Sequence, residues 1–203
     1  MSLDSIREQI DALDTELLKL LNERADLVHQ VGKIKKKDGI EIYAPEREES
    51  LLKRLAEKSE GRLTEDSIRA IYREIMSAAL SLEEDLKIAY LGPQGTWTHQ
   101  AAISKFGHSV SYSAQESLSA VFDQVARKKA DYGVVPIENS TEGAVNHTLD
   151  MFADSPLRIC SQILLPIENA LMARRNKLKQ CLREGGHIFG WILNVIQIKS
   201  NIH

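Results

Sequence analysis

Residues 3–37 read LDSIREQIDALDTELLKLLNERADLVHQVGKIKKK. Their apolar side chains recur at heptad spacing in two rows, namely Leu3, Ile10, Leu17 and Val31, and Leu13, Leu20, Leu27 and Ile34. This spacing predicts one continuous helix ended by Asp38-Gly39, which at ~1.5 Å per residue is roughly 50 Å long. Because this length exceeds the diameter of a small domain, we expect a homodimer formed through the N-terminal helices.

Two more helices are predicted before residue 87, and no strand pattern occurs there. One begins at Pro45, a residue favoured in a first turn, and is expected to end at Gly61. The other begins after Thr64, whose hydroxyl suits an N-cap, and carries apolar side chains at helical spacing. Residues 1–86 are therefore predicted to form an all-α domain.

From Lys87 onward, short β-rich runs alternate with helical ones. The predicted strands are 87–91, 110–113, 131–136 and 157–164, and the predicted helices are 99–106, 117–128 and 143–152. This alternation predicts an α/β domain with a mainly parallel sheet.

Composition narrows the classes of function. The 203 residues have a formal net charge of −3, so neither nucleic acid nor a membrane surface is expected as a partner. The start of the chain is polar, unlike a secretory signal, and no apolar run approaches the roughly 20 residues of a membrane span. Cys160 and Cys181 lack metal-ligand spacing. We therefore expect a cytoplasmic protein without a metal site.

Two cations interrupt the apolar pattern of the first helix. Arg24 occupies a position in the row of Ile10, Leu17 and Val31, and Lys35 projects within about 20° of it. An unpaired buried cation is costly, so both need an anionic partner. That partner is either a carboxylate such as Glu48, in a structural salt bridge, or a small dianion. Arg7 lies about 100° around the helix from Arg24 and would better serve the pocket of a dimer mate.

The N-terminal motifs resemble the all-α class of chorismate mutase. The resemblance rests on IREQIDALDTELLKLLNERADLVHQVGKIK (6–35), YAPERE (43–48) and REIMSAALSLEE (73–84), and it covers nearly all of residues 1–86. It implies rearrangement of chorismate to prephenate in phenylalanine biosynthesis, a reaction that needs no cofactor. It also implies an intertwined dimer of three-helix domains, with one arginine of each pocket donated by the other subunit.

The resemblance assigns roles to the cationic side chains. Arg7 of the partner subunit and Arg24 would bind the two substrate carboxylates, because a guanidinium matches a carboxylate bidentately. Lys35 would donate to the ether oxygen, on which negative charge develops. Arg47 would orient Glu48 or a carboxylate.

The carboxyl side chains have complementary roles. Glu48 would accept the ring hydroxyl. Some family members have glutamine where this chain has Glu83, and only a protonated carboxyl can donate a hydrogen bond in its place. We therefore expect Glu83 to act protonated and mutase activity to fall as the pH rises. Lys35, Glu83 and Arg24 are thus the predicted catalytic residues, within a substrate-binding set completed by Arg7, Arg47 and Glu48.

Two later motifs resemble prephenate dehydratase. IAYLGPQGTWTHQAA (88–102) places a glycine-containing turn before a helix, which suits either an ordinary βα connection or an anion site. DYGVVPIENSTEGAVNHTLD (131–150) places a polar loop after a buried strand, and we expect Gly143 to open a helix. The resemblance implies the first, periplasmic-binding-protein-like lobe of that family, which removes water and carbon dioxide from prephenate. Thr96, Asn139, Ser140 and Thr141 would line its cleft.

The resemblance to prephenate dehydratase ends near Arg174. The family's Thr-Arg-Phe motif, which carries its key threonine, does not occur in the 203 residues, and neither does a regulatory phenylalanine-binding domain. Residues 180–203 are unlike the family, and the run Ile188–Ile198 is predicted to form an exposed, aggregation-prone strand. The tail reflects either a truncation or shifted frame, or a natural variant that completes the first lobe. We expect little dehydratase activity and no phenylalanine feedback.

The sequence therefore predicts three segments: a mutase domain at 1–86, a partial dehydratase domain at 87–179, and an atypical tail at 180–203. Three alternatives remain. The chain acts as a fully bifunctional mutase and dehydratase, as a non-catalytic module that binds small anions, or as a structural dimerisation domain in which the cations form salt bridges.

Overall fold

The computed structural model describes residues 2–40, 43–83, 85–139, 143–167 and 191–199. The chain divides into two compact units, which are residues 1–86 with 106–110, and residues 87–105 with 111–203. The first, helical unit contains three helices in its described part, and the second, sheet unit contains a mixed sheet with helices.

The long first helix, α1, spans Leu3–Asp38, in agreement with the prediction. The hydroxyl of Ser2 accepts a hydrogen bond from the Ser5 N–H at 3.1 Å and so caps its start. Gly39 ends it with φ 66°, in the left-handed region that glycine adopts without strain.

The other two helices of this unit are α2, Pro45–Lys58, and α3, Glu65–Glu83. Thr64 caps α3 as predicted, because its Oγ1 accepts from the Ser67 N–H at 3.2 Å. The prediction that Gly61 ends α2 is wrong. The backbone already leaves helical geometry at Ser59, and Gly61 lies in the connection to α3.

The apolar rows of α1 are open to solvent in the single chain. All eight side chains of the two predicted rows are 48% to 64% exposed. The buried apolar side chains of the unit instead include Leu52 of α2 and Ile68, Met76 and Ala79 of α3. Most of the apolar surface of α1 is therefore not covered by its own unit.

The segment 106–110 completes the helical unit. The Phe106 ring lies 5.2 Å from the Tyr43 ring, and the Ser109 N–H donates to the Ser77 Oγ at 3.0 Å. Glu74 accepts from the His108 N–H at 3.1 Å and pairs with its Nδ1 at 2.8 Å. Burial raises the pKa of Glu74, but these bonds to His108 outweigh burial and leave the pKa below its ordinary value.

The sheet unit contains six strands: β1 Lys87–Leu91, β2 Ser111–Gln115, β3 Tyr132–Asn139, β4 Gly143–Ala144, β5 Arg158–Ile167 and β6 Trp191–Lys199. Their order is β2-β1-β3-β6-β5, with β4 paired to β3. β1 pairs in parallel with β2 and β3, whereas β6 is antiparallel to β3 and β5, and β4 is antiparallel to β3.

The predicted mainly parallel sheet is therefore wrong, and the sheet is mixed. Parallel strands need a crossover connection, and two helices provide it among the first three strands. The helix α4, Trp97–Phe106, connects β1 to β2, and the helix α5, Leu118–Ala126, connects β2 to β3. The later strands β5 and β6 pair antiparallel with each other.

The predicted strand at Ile188–Ile198 is confirmed in its described part, but the expectation that it forms an exposed edge is wrong. Residues 188–190 lie outside the described residues, but β6 lies between β3 and β5 and pairs with both. Both edges of its backbone therefore have strand partners, so β6 is not an open edge.

Gly143 does not open a helix, contrary to the prediction. It begins β4 and has φ 76°, and the helix α6 starts three residues later, spanning Asn146–Ala153.

The core of the sheet unit forms where α5 packs on the strands, and the side chains of α5 in this core include Val121, Phe122 and Val125. Among the described residues, no helix combines the length and apolar character that crossing a membrane requires.

Candidate functional site

All three helices of the helical unit line one cavity of about 180 Å³. Its lining residues are Arg24, Val28, Val31 and Lys35 from α1, Ala44, Arg47, Glu48 and Leu51 from the start of α2, and Met76, Ala79, Leu80 and Glu83 from α3. The lining thus combines charged and aliphatic side chains, and each helix contributes both kinds.

Five of the six side chains predicted to bind substrate line this cavity, namely Arg24, Lys35, Arg47, Glu48 and Glu83. Arg24 and Lys35, which helical geometry places on one face of α1, are both half-buried there. The set comprises three cations and two carboxyl groups. Together with the aliphatic lining residues, these groups suit a small charged ligand that also has an apolar part.

Arg7 is not brought to this cavity. It lies near the start of α1, roughly 25 Å along the helix from Arg24 at ~1.5 Å per residue. Its side chain is 64% exposed, and its Nη1 lies 3.5 Å from the Asp4 Oδ1. In a single chain, Arg7 therefore serves a local ion pair at the surface.

Glu48 is held by an arginine that the sequence did not indicate. Arg73 of α3 donates from Nη1 to the Glu48 Oε2 at 2.9 Å, and the two side chains are 17% and 13% exposed. No motif joins two residues 25 positions apart. The available signal was weaker: Arg73 stands one turn before Met76 and Ser77, at helical spacing from the buried face of α3.

Glu83 is positioned by close contact with the backbone of α1. A Cβ added at Gly32 would lie 2.8 Å from the Glu83 Oε2 and 3.0 Å from its Cδ, so the carboxyl occupies the space that a side chain would fill. Lys36 donates from Nζ to the Glu83 carbonyl at 2.9 Å. Gly32 and Lys36 were not predicted, because only the packing of α1 on α3 gives them this role.

Among the described residues, no group of three or more His, Cys, Asp or Glu side chains is arranged to hold a metal ion.

In the sheet unit, Thr96 closes the turn before α4. Its Oγ1 donates to the Leu91 carbonyl at 3.2 Å and accepts from the His99 N–H at 3.4 Å. The Gly95 N–H donates to the His99 Nδ1 at 3.1 Å. These bonds satisfy part of the turn internally, as in an ordinary βα connection.

The remaining predicted cleft residues lie at the end of β3. Asn139 is the last residue of that strand, and its side chain is not described. Ser140 and Thr141 lie outside the described residues. Next to the Thr96 turn, the Tyr90 ring stacks on His99 at 4.6 Å, and burial raises the pKa of Tyr90.

Sequence profiles of two known families match different parts of the chain. The sequence profile of chorismate mutase type II matches residues 6–84, and that of prephenate dehydratase matches residues 88–184. Each profile covers a different one of the two regions recognised from motifs.

Individual relatives cover both regions. The bifunctional chorismate mutase/prephenate dehydratase of Aquifex aeolicus is 42% identical over 189 residues, which are 91% of this chain and 52% of that protein. The protein of the same name from Neisseria gonorrhoeae is 44% identical over 170 residues, 84% of this chain and 46% of that protein. The chain thus spans about half the length of the curated relatives it matches.

A solved structure aligns with part of the chain. The chorismate mutase (form II) of Thermus thermophilus aligns with a TM-score of 0.40 at 34% identity, over 40% of this chain and 92% of that one.

Proposed function

We propose that the chain joins a chorismate mutase type II region to part of a prephenate dehydratase region, and that its helical unit converts chorismate to prephenate. The observation that carries this proposal is the cavity in which Arg24, Lys35, Arg47, Glu48 and Glu83 meet. Prephenate formation would place the chain in phenylalanine biosynthesis, and we expect it to act in the cytoplasm.

The reaction needs positioning and electrostatics rather than a nucleophile. Breaking the ether bond of chorismate puts negative charge on its oxygen while the ring becomes electron-poor. The enzyme must hold the flexible dianion in its compact conformer and stabilise that oxygen. In the proposed arrangement, Arg24 binds a carboxylate, Lys35 donates to the ether oxygen and Glu48 accepts the ring hydroxyl.

Glu83 is the second donor to the ether oxygen in this proposal. Only its protonated form can donate, since a carboxylate is an acceptor alone. Mutase activity measured from pH 5 to pH 9 should therefore fall as the pH rises, and Glu83→Gln, whose amide donates at any pH, should flatten the profile. A wild-type profile that is already flat over this range would contradict the role.

A homodimer would complete the cavity. The eight apolar side chains of α1 that are 48% to 64% exposed form a face long enough to cover a second α1. An antiparallel partner would bring its own Arg7 toward the cavity that Arg24 and Lys35 line. We therefore propose an intertwined dimer in which Arg7 of the partner subunit binds the second carboxylate.

The sheet unit has a different place in this proposal. Residues 87–179 would form the first lobe of a periplasmic-binding-protein-like fold, with a cleft wall at Thr96 and at the end of β3. The Thr-Arg-Phe motif does not occur in the 203 residues. We propose that these residues by themselves do not convert prephenate to phenylpyruvate.

The test of the mutase proposal is chorismate consumption by the wild-type chain and by Lys35→Ala. Removing one preorganised donor costs about 10²- to 10³-fold in kcat. The matched control is Lys33→Ala, which removes an exposed lysine two residues away that does not line the cavity. Equal losses for both variants, or no loss for Lys35→Ala, would contradict the proposed site.

A further inference from the structure

We infer that Arg73 is a positioning residue for chorismate rearrangement, acting through Glu48. This inference rests on the proposed mutase function. Arg73 donates to one oxygen of the Glu48 carboxylate at 2.9 Å, from a different helix. Glu48 lines the cavity, whereas Arg73 is not among its lining residues. Arg73 therefore holds the Glu48 carboxylate without itself lining the cavity.

The burial of this pair separates it from the neighbouring ion pairs. Arg69, one turn earlier in α3, pairs with Glu49 at 3.1 Å and with Glu65 at 2.9 Å, but both glutamates are at least 60% exposed. Solvent screens such pairs, and they contribute little. The Arg73–Glu48 pair has side chains only 17% and 13% exposed, so losing one partner strands a largely buried charge.

The charges around Glu48 explain why its position matters. Arg24 and Lys35 of α1, Arg47 of α2 and Glu83 of α3 line the same cavity. A carboxylate without Arg73 would turn toward these cations and compete with the substrate's own carboxylates for them. Arg73 instead compensates Glu48 from outside the cavity. One Glu48 oxygen is thereby fixed by a directional bond.

This account predicts a specific split in kinetics. Without Arg73, competition for the cations should raise KM, and loss of the fixed acceptor for the ring hydroxyl should lower kcat. A purely structural clamp between α2 and α3 would instead lower thermal stability and leave the kinetics of the folded fraction unchanged.

The experiment compares Arg73→Ala, Glu48→Gln and the double variant in a chorismate consumption assay well below their melting temperatures. Arg73→Ala should lower kcat/KM by roughly 10- to 100-fold. In the Glu48→Gln background the same change should cost less than about threefold, because the group through which Arg73 acts is gone. Arg73→Lys, which keeps the charge but not the fork, should restore part of the activity.

Arg69→Ala is the matched control, since it removes an arginine of α3 that has two ion pairs but does not line the cavity. It should change kcat/KM by less than about twofold. Circular dichroism checks that each variant is folded. If Arg73→Ala does not fold, Arg73→Lys still tests the inference. Equal losses of kcat/KM from Arg73→Ala with and without the Glu48 carboxylate, or no loss at all, would overturn this inference but not the proposed function. Failure of the wild-type chain to consume chorismate would overturn the proposed function and the inference with it.

Discussion

In the helical unit, five predicted side chains from three helices surround one cavity, whereas the sheet unit shows only one of its four predicted cleft residues with a described side chain. That residue, Thr96, uses its hydroxyl to close a turn. The difference has a physical origin. Helical periodicity fixes the direction of each side chain, so residues 24–83 can assemble a site within one small unit. The predicted cleft depends on a loop after a strand and on a second wall.

The largest expected effect tests whether the helical unit needs a second copy. Arg7→Ala and Lys35→Ala should each lower kcat/KM by about 10²-fold or more, Lys35→Ala through loss of the ether-oxygen donor. Mixed and reannealed in equal amounts, the two variants should recover about a quarter of wild-type activity, because half the dimers then hold one intact site.

The control is each variant reannealed with itself, which should gain nothing. Failure of the mixture to recover activity, although heterodimers are demonstrated by differential tagging and co-purification, would mean that Arg7 and Lys35 serve the same chain's site. That result would contradict the proposed sharing of Arg7 between subunits, and the helical site would then be self-contained within one chain.

A smaller effect tests how tightly the helical site is built. Gly32→Ala places a methyl group against the flexible end of the Glu83 side chain, so the carboxyl must move while the backbone stays in place. Stability should change by less than about 1 kcal/mol, since alanine also favours the helix. Mutase activity should fall by roughly 10- to 100-fold, because a displacement of about 1 Å can be this costly.

Gly61→Ala is the matched control for that variant, as a Cβ there meets nothing within 4 Å. Thermal melts and kcat/KM are measured for both. A Gly32→Ala variant with full activity would show that the position of Glu83 does not matter, and the sharp contrast between the two units would weaken.

How much of the fold the sequence predicts depends on whether the signal for a feature is local. The bounds of α1 and the capping of α3 by Thr64 were predicted because caps and heptad spacing are local. The place of β6 between β3 and β5 was not, since pairing across the chain leaves no local signal. The predictions for the end of α2 and for the role of Gly143 were also wrong, because a glycine favours a turn but does not determine which element precedes or follows it.

The candidate site shows the same limit at the level of side chains. Arg24 and Lys35 could be placed on one face from their spacing alone, and both line the cavity. Arg73 and Gly32 could not, because the contact of Arg73 with Glu48 and that of Gly32 with Glu83 arise only when α3 packs on its neighbours. Sequence therefore indicated groups that face the cavity, and packing supplied those that hold them in position.

The most direct test is the product profile from chorismate, resolved by chromatography with the purified 203-residue chain and with a no-enzyme control. The account predicts that prephenate accumulates and that phenylpyruvate stays at the level of the control. No consumption of chorismate would contradict the central claim that the helical unit is a mutase. Phenylpyruvate above the control would instead contradict the proposal that these residues alone lack dehydratase activity.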